Sequence, residues 1–246
     1  SLTASAGETN PHLTNLSWDE RLSKALVYPL EVGVSKVGKK NETDPPKFLF
    51  PGLGMKRGHC TLERTAEGQV FVEAHHNSRT LVNGKQISAR TELKHNYRLW
   101  LGTAYAFIFQ YPGKEDEGVT FPEDDDFDYQ DAQEEIVQDQ KQAIGGTGLP
   151  NDVSLRLNDA ISYCAQANML AIELGALPRF SPKLVLPTGA VGEKIDCMIA
   201  VTYGAATVLW PYEKFNGRLT LMTQRWKEAD EAEDRGEALA PLPPAE

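Results

Sequence analysis

Thr80-Leu81-Val82-Asn83-Gly84 is the stretch on which the fold turns. A short run of strand-forming residues meets an Asn-Gly pair, and both residues of that pair tolerate positive φ, so the segment predicts a β-hairpin. The same texture continues on either side. Upstream, Leu26, Tyr28 and Leu30 and then Val32, Val34 and Val37 have strand-like spacing, and Lys47-Phe-Leu-Phe50 runs into Pro51-Gly52. Cys60 and Leu62 alternate with Thr61 and Glu63, and Val70–Glu73 follows Gly68. Downstream, Leu99–Tyr111 is rich in aromatic and branched residues and stops at Pro112-Gly113. Many short strands punctuated by turns predict an all-β sandwich or barrel.

The charge map sets the limits of that domain. The chain has 246 residues and a formal net charge of −10. Twelve carboxylates fall between residues 115 and 140 with no Lys or Arg among them. Outside that window the chain holds 25 bases and 23 acids, so the deficit belongs to one segment. Such a run reads as a solvated connector that resists collapse. It lacks the glycine and terminal glutamate of a calcium loop. The three cysteines, Cys60, Cys164 and Cys197, are far apart and odd in number, which fits free thiols in a reducing compartment. No apolar run reaches the length of a membrane span, and the polar start is no signal peptide.

Beyond Gly148 the period changes. A helix is expected from Asn151 or Asp152, either of which can cap it, to Gly175. Val153, Leu157, Ala160, Cys164, Ala167, Ala171 and Leu174 form its seam. The seam is poor in large side chains, so the helix is expected to pack within its own chain and leave a mostly monomeric fragment. Strands are expected at Lys183–Leu186 and Ile195–Tyr203, and a closing helix carries Phe215, Leu219, Met222 and Trp226. The fold class is therefore mainly β with an α+β C-terminal part: a sandwich, an acidic linker and a small helix–strand–helix module. The expected divisions are a disordered lead-in over 1–10, the sandwich over 11–114, the acidic linker over 115–148, the α+β module over 149–228 and a disordered tail over 229–246.

Catalytic motifs are wanting. Gly33-Val-Ser-Lys-Val-Gly38-Lys39-Lys40 is one residue from a phosphate-binding P-loop, but it has Lys40 where a hydroxyl belongs, and no helix can follow before Pro45-Pro46. Gly52 to Gly58 lacks the helix of a dinucleotide fingerprint. The histidines His12, His59, His75, His76 and His95 show no zinc-ligand spacing. No catalytic residue, metal ligand or cofactor is assigned. What remains is a set of cations beside turns, Lys39, Lys40, Lys56 and Arg57, which with turn N–H groups suits a phosphate or an acidic peptide.

Val37-Gly38-Lys39, Lys56-Arg57-Gly58-His59 and Thr80–Gly84 occur in the order of the forkhead-associated (FHA) signature, which reads Gly-Arg, Ser-Arg-x-His and Thr-x-Val-Asn-Gly. With Pro11–Leu16 and the Gly58-His59-Cys60 step, the chain resembles the FHA domain of kinesin-3 motors. Ala167-Asn168, Glu173-Leu174 and the Trp210–Arg225 segment resemble the stretch that follows this domain in such motors. The resemblance implies a β-sandwich in which Gly38, His59 and Gly84 are structural. The cations beside turns and the resemblance together put the binding positions at Lys39, Lys40, Lys56, Arg57, Ser78 and Asn83. Where phosphothreonine readers hold phosphate with Arg and Ser and read peptide backbone with Asn, this chain has Lys39, Lys56 and Ser78. Lysine lacks the bidentate fork, and a hydroxyl cannot replace an amide.

The resemblance further implies a non-catalytic interaction and regulatory fragment of a microtubule motor, cytoplasmic and cytoskeleton-associated. Its partners would be an acidic or phosphorylated peptide, a cargo adaptor, or the motor's own stalk or motor domain. The parent would be a possible dimer with its ATP, magnesium and microtubule sites in a motor domain outside this sequence. No nucleic acid and no membrane insertion are expected. The other reading is a stand-alone FHA phosphopeptide-binding signalling module.

Overall fold

The computed structural model describes residues 10–75, 78–121, 127–146, 148–185 and 194–235. The chain divides into two compact units, residues 1–140 and 141–246.

The first unit is a β-sandwich. One sheet has the order β2-β1-β11-β10-β7-β8, built from β1 (His12–Leu16), β2 (Val27–Pro29), β7 (Thr80–Val82), β8 (Lys85–Gln86), β10 (Tyr97–Leu101) and β11 (Tyr105–Gln110). The other has the order β4-β3-β5-β6-β9, built from β3 (Gly33–Gly38), β4 (Phe48–Leu49), β5 (Cys60–Arg64), β6 (Val70–Ala74) and β9 (Thr91–Leu93). Every pairing is antiparallel except β3 with β4. Alternate residues, among them Leu13, Val37, Leu62, Val72, Phe107 and Phe109, meet between the sheets and exclude water. Gly33–Gly38, the segment that mimics a P-loop, is all strand.

The predicted hairpin is present. Asn83 and Gly84 have φ of +49° and +74°, and Leu81 pairs with Gln86 across the turn. A β-branched or bulky side chain at the first position would be strained.

The acidic linker expected over 115–148 is corrected by a helix, α1 (Tyr129–Ala143). Ala132 and Ile136, with the half-buried Phe127 and Tyr129, cover a second apolar cluster on the outer face of the six-stranded sheet: Leu16, Leu81, Trp100, Ala106 and Ile108. The cause lies in β10 and β11. Tyr97-Arg-Leu-Trp-Leu101 and Tyr105-Ala-Phe-Ile-Phe-Gln110 are apolar at successive positions, so both faces of these strands must be covered. Glu135 of α1 takes both Arg98 Nε and Nη2 in a two-point ion pair whose side chains are only 12% and 27% exposed. The Arg98 guanidinium also lies over the rings of Phe121 and Phe127. Carboxylate positions 123–126 fall outside the described residues.

The second unit is a helix, three strands and a helix, the expected helix–strand–helix module with one strand, β14, beyond the two the sequence suggested. α2 (Asn151–Glu173) packs on β12 (Arg179–Val185), β13 (Asp196–Tyr203) and α3 (Tyr212–Asp234), while β14 (Ala206–Trp210) completes an antiparallel sheet of order β12-β13-β14. Six of the seven predicted seam residues of α2 are buried; Leu174 lies beyond the last turn. Neither Asn151 nor Asp152 caps the helix: the N-cap is Pro150, with no side-chain bond. Gly175 takes the left-handed φ of +65° that ends it. β12 starts four residues before the expected strand. α3 runs unbroken through Gly217 and on to Asp234, so residues 229–234, expected in the tail, are helical; 236–246 fall outside the described residues.

The motif residues of this unit hold it together. Asn168 on α2 donates from Nδ2 to the Phe180 carbonyl and accepts the Phe180 N–H at Oδ1, both at 2.8 Å, so its amide stands in for a strand neighbour. Trp226 Nε1 donates to Glu173 at 2.5 Å, and Phe215 packs on Phe180 with ring centroids 5.6 Å apart.

Candidate functional site

Strand register decides which loops share an end of the sandwich. β3 leaves at Gly38, β5 enters at Cys60 opposite Val37, and β6 leaves at Ala74 opposite Cys60. β7 enters at Thr80 opposite Leu101, just before the turn at Gly102. The loops after Gly38, before Cys60, before Thr80 and after Leu101 therefore gather at one end, and that end carries Lys39, Lys40, Lys56 and Arg57.

A chain of hydrogen bonds ties these loops to one another. Lys39 N–H donates to the Lys56 carbonyl at 2.8 Å, and Phe50 N–H donates to the Gly38 carbonyl at 3.0 Å. Lys56 N–H donates to His59 Nδ1 at 3.3 Å, and His59 Nε2–H donates to the Arg79 carbonyl at 3.1 Å. That carbonyl also receives Gly102 N–H at 2.9 Å, while Arg79 Nη1 returns to the Gly102 carbonyl at 2.5 Å. His59 is 0% exposed and spans two loops, so its role is structural. Burial, with Lys56 and His75 adding repulsion, holds its imidazole down to about 4, so the neutral ring is the native form.

The sequence-derived site residues divide three ways. Lys39 and Lys56 are half-buried at the base of the loops, and Arg57 and Lys40 are exposed beside them. Lys40 lies 3.9 Å from Glu42 in an exposed ion pair. Ser78 is 6% exposed and turned inward: its hydroxyl donates to the His75 carbonyl at 2.9 Å and lies 3.3 Å from Thr80 Oγ1. It braces the loop rather than facing a ligand. Asn83 sits across β7 at the opposite end of the sandwich, where its Oδ1 accepts Arg98 N–H at 2.9 Å. Gly84 packs there against Glu135 of α1. His76 lies outside the described residues.

Two contributors went unread in the sequence. Arg79, buried so that its guanidinium is pulled down to about 10, joins the loop before β7 to the turn after β10. Thr103 Oγ1 donates to the Leu53 carbonyl at 3.0 Å and joins that turn to the loop before β5. Neither stands in a run that periodicity detects. Among the described residues no group of three or more His, Cys, Asp or Glu could hold a metal ion, and no helix is long and apolar enough to cross a membrane.

The FHA domain family matches residues 36–102. Human kinesin-like protein KIF1B is 33% identical over 106 residues, which are 42% of this chain and 6% of that protein. Human KIF13B is 33% identical over 108 residues, 44% of this chain and 6% of the relative. Human KIF14 is 30% identical over 140 residues, 54% of this chain and 8% of the relative. The chain thus spans less than a tenth of the kinesin-like proteins it matches. Among solved structures, the FHA domain of CT664 from Chlamydia trachomatis aligns with a TM-score of 0.36 at 18% identity, covering 42% of this chain and 97% of that one. An FHA domain from a study of phosphothreonine-dependent interactions aligns at 0.34 and 20%, covering 42% and 96%. The matched segment runs from β3 through β10, the strands that build the cationic end, and the chain carries an FHA domain distantly similar to those of kinesin-3 proteins.

Proposed function

We propose that the cationic end of the sandwich is a non-catalytic docking site for an acidic or phosphorylated peptide, with Lys39, Lys56 and Arg57 supplying the charge and Lys40 its outer rim. The observation that carries this reading is the closure of Lys39 N–H on the Lys56 carbonyl, with His59 locking the second loop from beneath. Backbone held this firmly costs little further ordering on binding. Lysines bind phosphate as point charges and lack the guanidinium fork, so phosphothreonine affinity is weak and falls as salt rises. Ser78, turned inward, offers no second reader of the peptide backbone.

In the whole protein the module serves a kinesin-3-type microtubule motor, in assembly, autoinhibition or contact with a cargo adaptor, in the cytoplasm on the cytoskeleton. Its support is the identity to KIF1B, KIF13B and KIF14 together with the post-sandwich motif residues Asn168, Glu173, Phe215 and Trp226. A stand-alone phosphopeptide reader would have no need of that second unit.

Titration calorimetry of the chain against matched phosphorylated and unphosphorylated threonine peptides, at low and high salt, tests the site. Weak, salt-sensitive binding of the phosphorylated set that is lost in Lys39→Ala/Lys56→Ala supports it. A tight, salt-insensitive ligand that survives the double substitution refutes it.

A further inference from the structure

The sheet of the second unit has two unlike edges. The outer edge of β12 is guarded: Arg179 and Lys183 are exposed on it, and Pro182 removes one backbone donor from the strand. These are the devices by which proteins keep a strand from pairing with its neighbours. At the other edge, Ala206-Thr-Val-Leu-Trp210 of β14 has none of them. It carries no charge, no proline and no bulge in its pairing with β13, and its composition favours strand. Among the described residues no strand pairs with its outer side. Val208, on the face shared with Val201 and the helices, is 52% exposed, and Leu209, on the other face, is 44% exposed. The helix layer of α2 and α3 packs over β12 and β13; Trp210 is half-buried against Phe180, while Ala206 to Leu209 of β14 are exposed among the described residues.

We propose that β14 is a self-pairing edge through which two copies of this chain join, antiparallel, about a two-fold axis at Val208. The guarded β12 edge selects this occupant. Pairing β14 of one copy with β12 of the next would be head-to-tail and would propagate without closing. Arg179, Pro182 and Lys183 oppose it. Pairing β14 with β14 is closed and brings no like charges together. It sets Val208 against Val208 of the second copy and Ala206 against Trp210, and on the opposite face Thr207 against Leu209. The product is one continuous sheet of order β12-β13-β14-β14-β13-β12, with the four helices on one face. Five paired residues cover less than the roughly 1,000 Å² of a stable interface, so the association is weak in isolation. It gains strength where the two copies are already tethered.

Sedimentation equilibrium of the full 246-residue chain from about 10 to about 500 µM tests this. The expected result is a monomer–dimer equilibrium that Val208→Lys weakens by about tenfold or more. Leu177→Lys, at an exposed leucine on no strand, leaves it unchanged. The register has its own test, independent of whether the lysine variant folds. Directly opposed strand residues have Cα atoms about 4.5–5.5 Å apart, within disulfide reach. Val208→Cys should therefore cross-link between copies under mild oxidation, and Thr207→Cys should do so several-fold less. The three native cysteines are buried and give little background. A chain that stays monomeric throughout, association that survives Val208→Lys, or equal cross-linking at the two positions overturns the proposal.

Discussion

Gly38 lies directly beneath the carbonyl of Arg57: a Cβ on Gly38 would come within 2.1 Å of that oxygen and 2.6 Å of the Lys56 carbonyl. Both obstacles are backbone, so neither can swing aside. Only glycine lets the two cationic loops close on one another, and the Lys39–Lys56 bond depends on that approach. Gly38→Ala is expected to cost about 2 kcal/mol of sandwich stability, as overpacking typically does. It should abolish binding of acidic peptides while Lys39 and Lys56 remain in place. Denaturant melts paired with calorimetry check this; unchanged binding would separate the site from the loop closure.

His59 makes the sandwich acid-sensitive. Its native pKa of about 4 lies below the ordinary 6.5, so between those values the unfolded chain binds a proton that the folded chain refuses. Stability is then fully present above about pH 6.5 and falls as the pH drops toward 4. The depression caps the loss at roughly 3 kcal/mol. Urea melts at stepped pH should show this slope, and His59→Gln, which cannot titrate, should flatten it at a lower plateau.

Helix α1 is expected to behave as part of the sandwich. Ile136→Ala removes a buried side chain from the cluster over Trp100 and should cost about 2–4 kcal/mol. Trp100 lies against Tyr129 with ring centroids 5.3 Å apart, so loosening α1 should shift its emission to the red. A variant as stable as the parent, with unchanged fluorescence, would return the segment to a linker.

Asn168→Ala strips both bonds from Phe180 and should destabilise the second unit by about 2 kcal/mol, at roughly 1 kcal/mol per bond. Hydrogen exchange should rise in α2, β12 and β13 and stay unchanged in the sandwich. Equal loss of protection in both units would show one cooperative body.

The three thiols should be silent in the native chain. Burial pushes Cys60 and Cys164 up to about 12 and Cys197 up to about 11, leaving almost no thiolate at neutral pH. A thiol-reactive dye should modify none of them until denaturant is added and then all three; rapid native labelling would contradict their burial.

What the sequence determined by itself was local. The turn at Asn83-Gly84 was legible because positive φ is a property of those two residues, and the extent of α2 because its small-residue seam and Gly175 act within a few turns. The glycine–lysine and lysine–arginine–glycine–histidine steps were legible as a motif for the same reason. Their grouping was not. Only strand register shows that Lys39 and Lys56 share an end while Asn83, separated from Arg79 by the three residues of β7, lies at the other. A hydroxyl such as that of Ser78 turns inward or outward according to which carbonyl the fold brings near it. The acidic segment makes the same point through energy. Its charge count describes solvation of the isolated chain, whereas its structure is set by the apolar outer faces of β10 and β11, whose burial under Ala132 and Ile136 outweighs the charge. Long-range burial chooses among states that local composition leaves close in free energy, and that choice put a helix in the acidic segment and left β14, among the described residues, without a strand on its outer side.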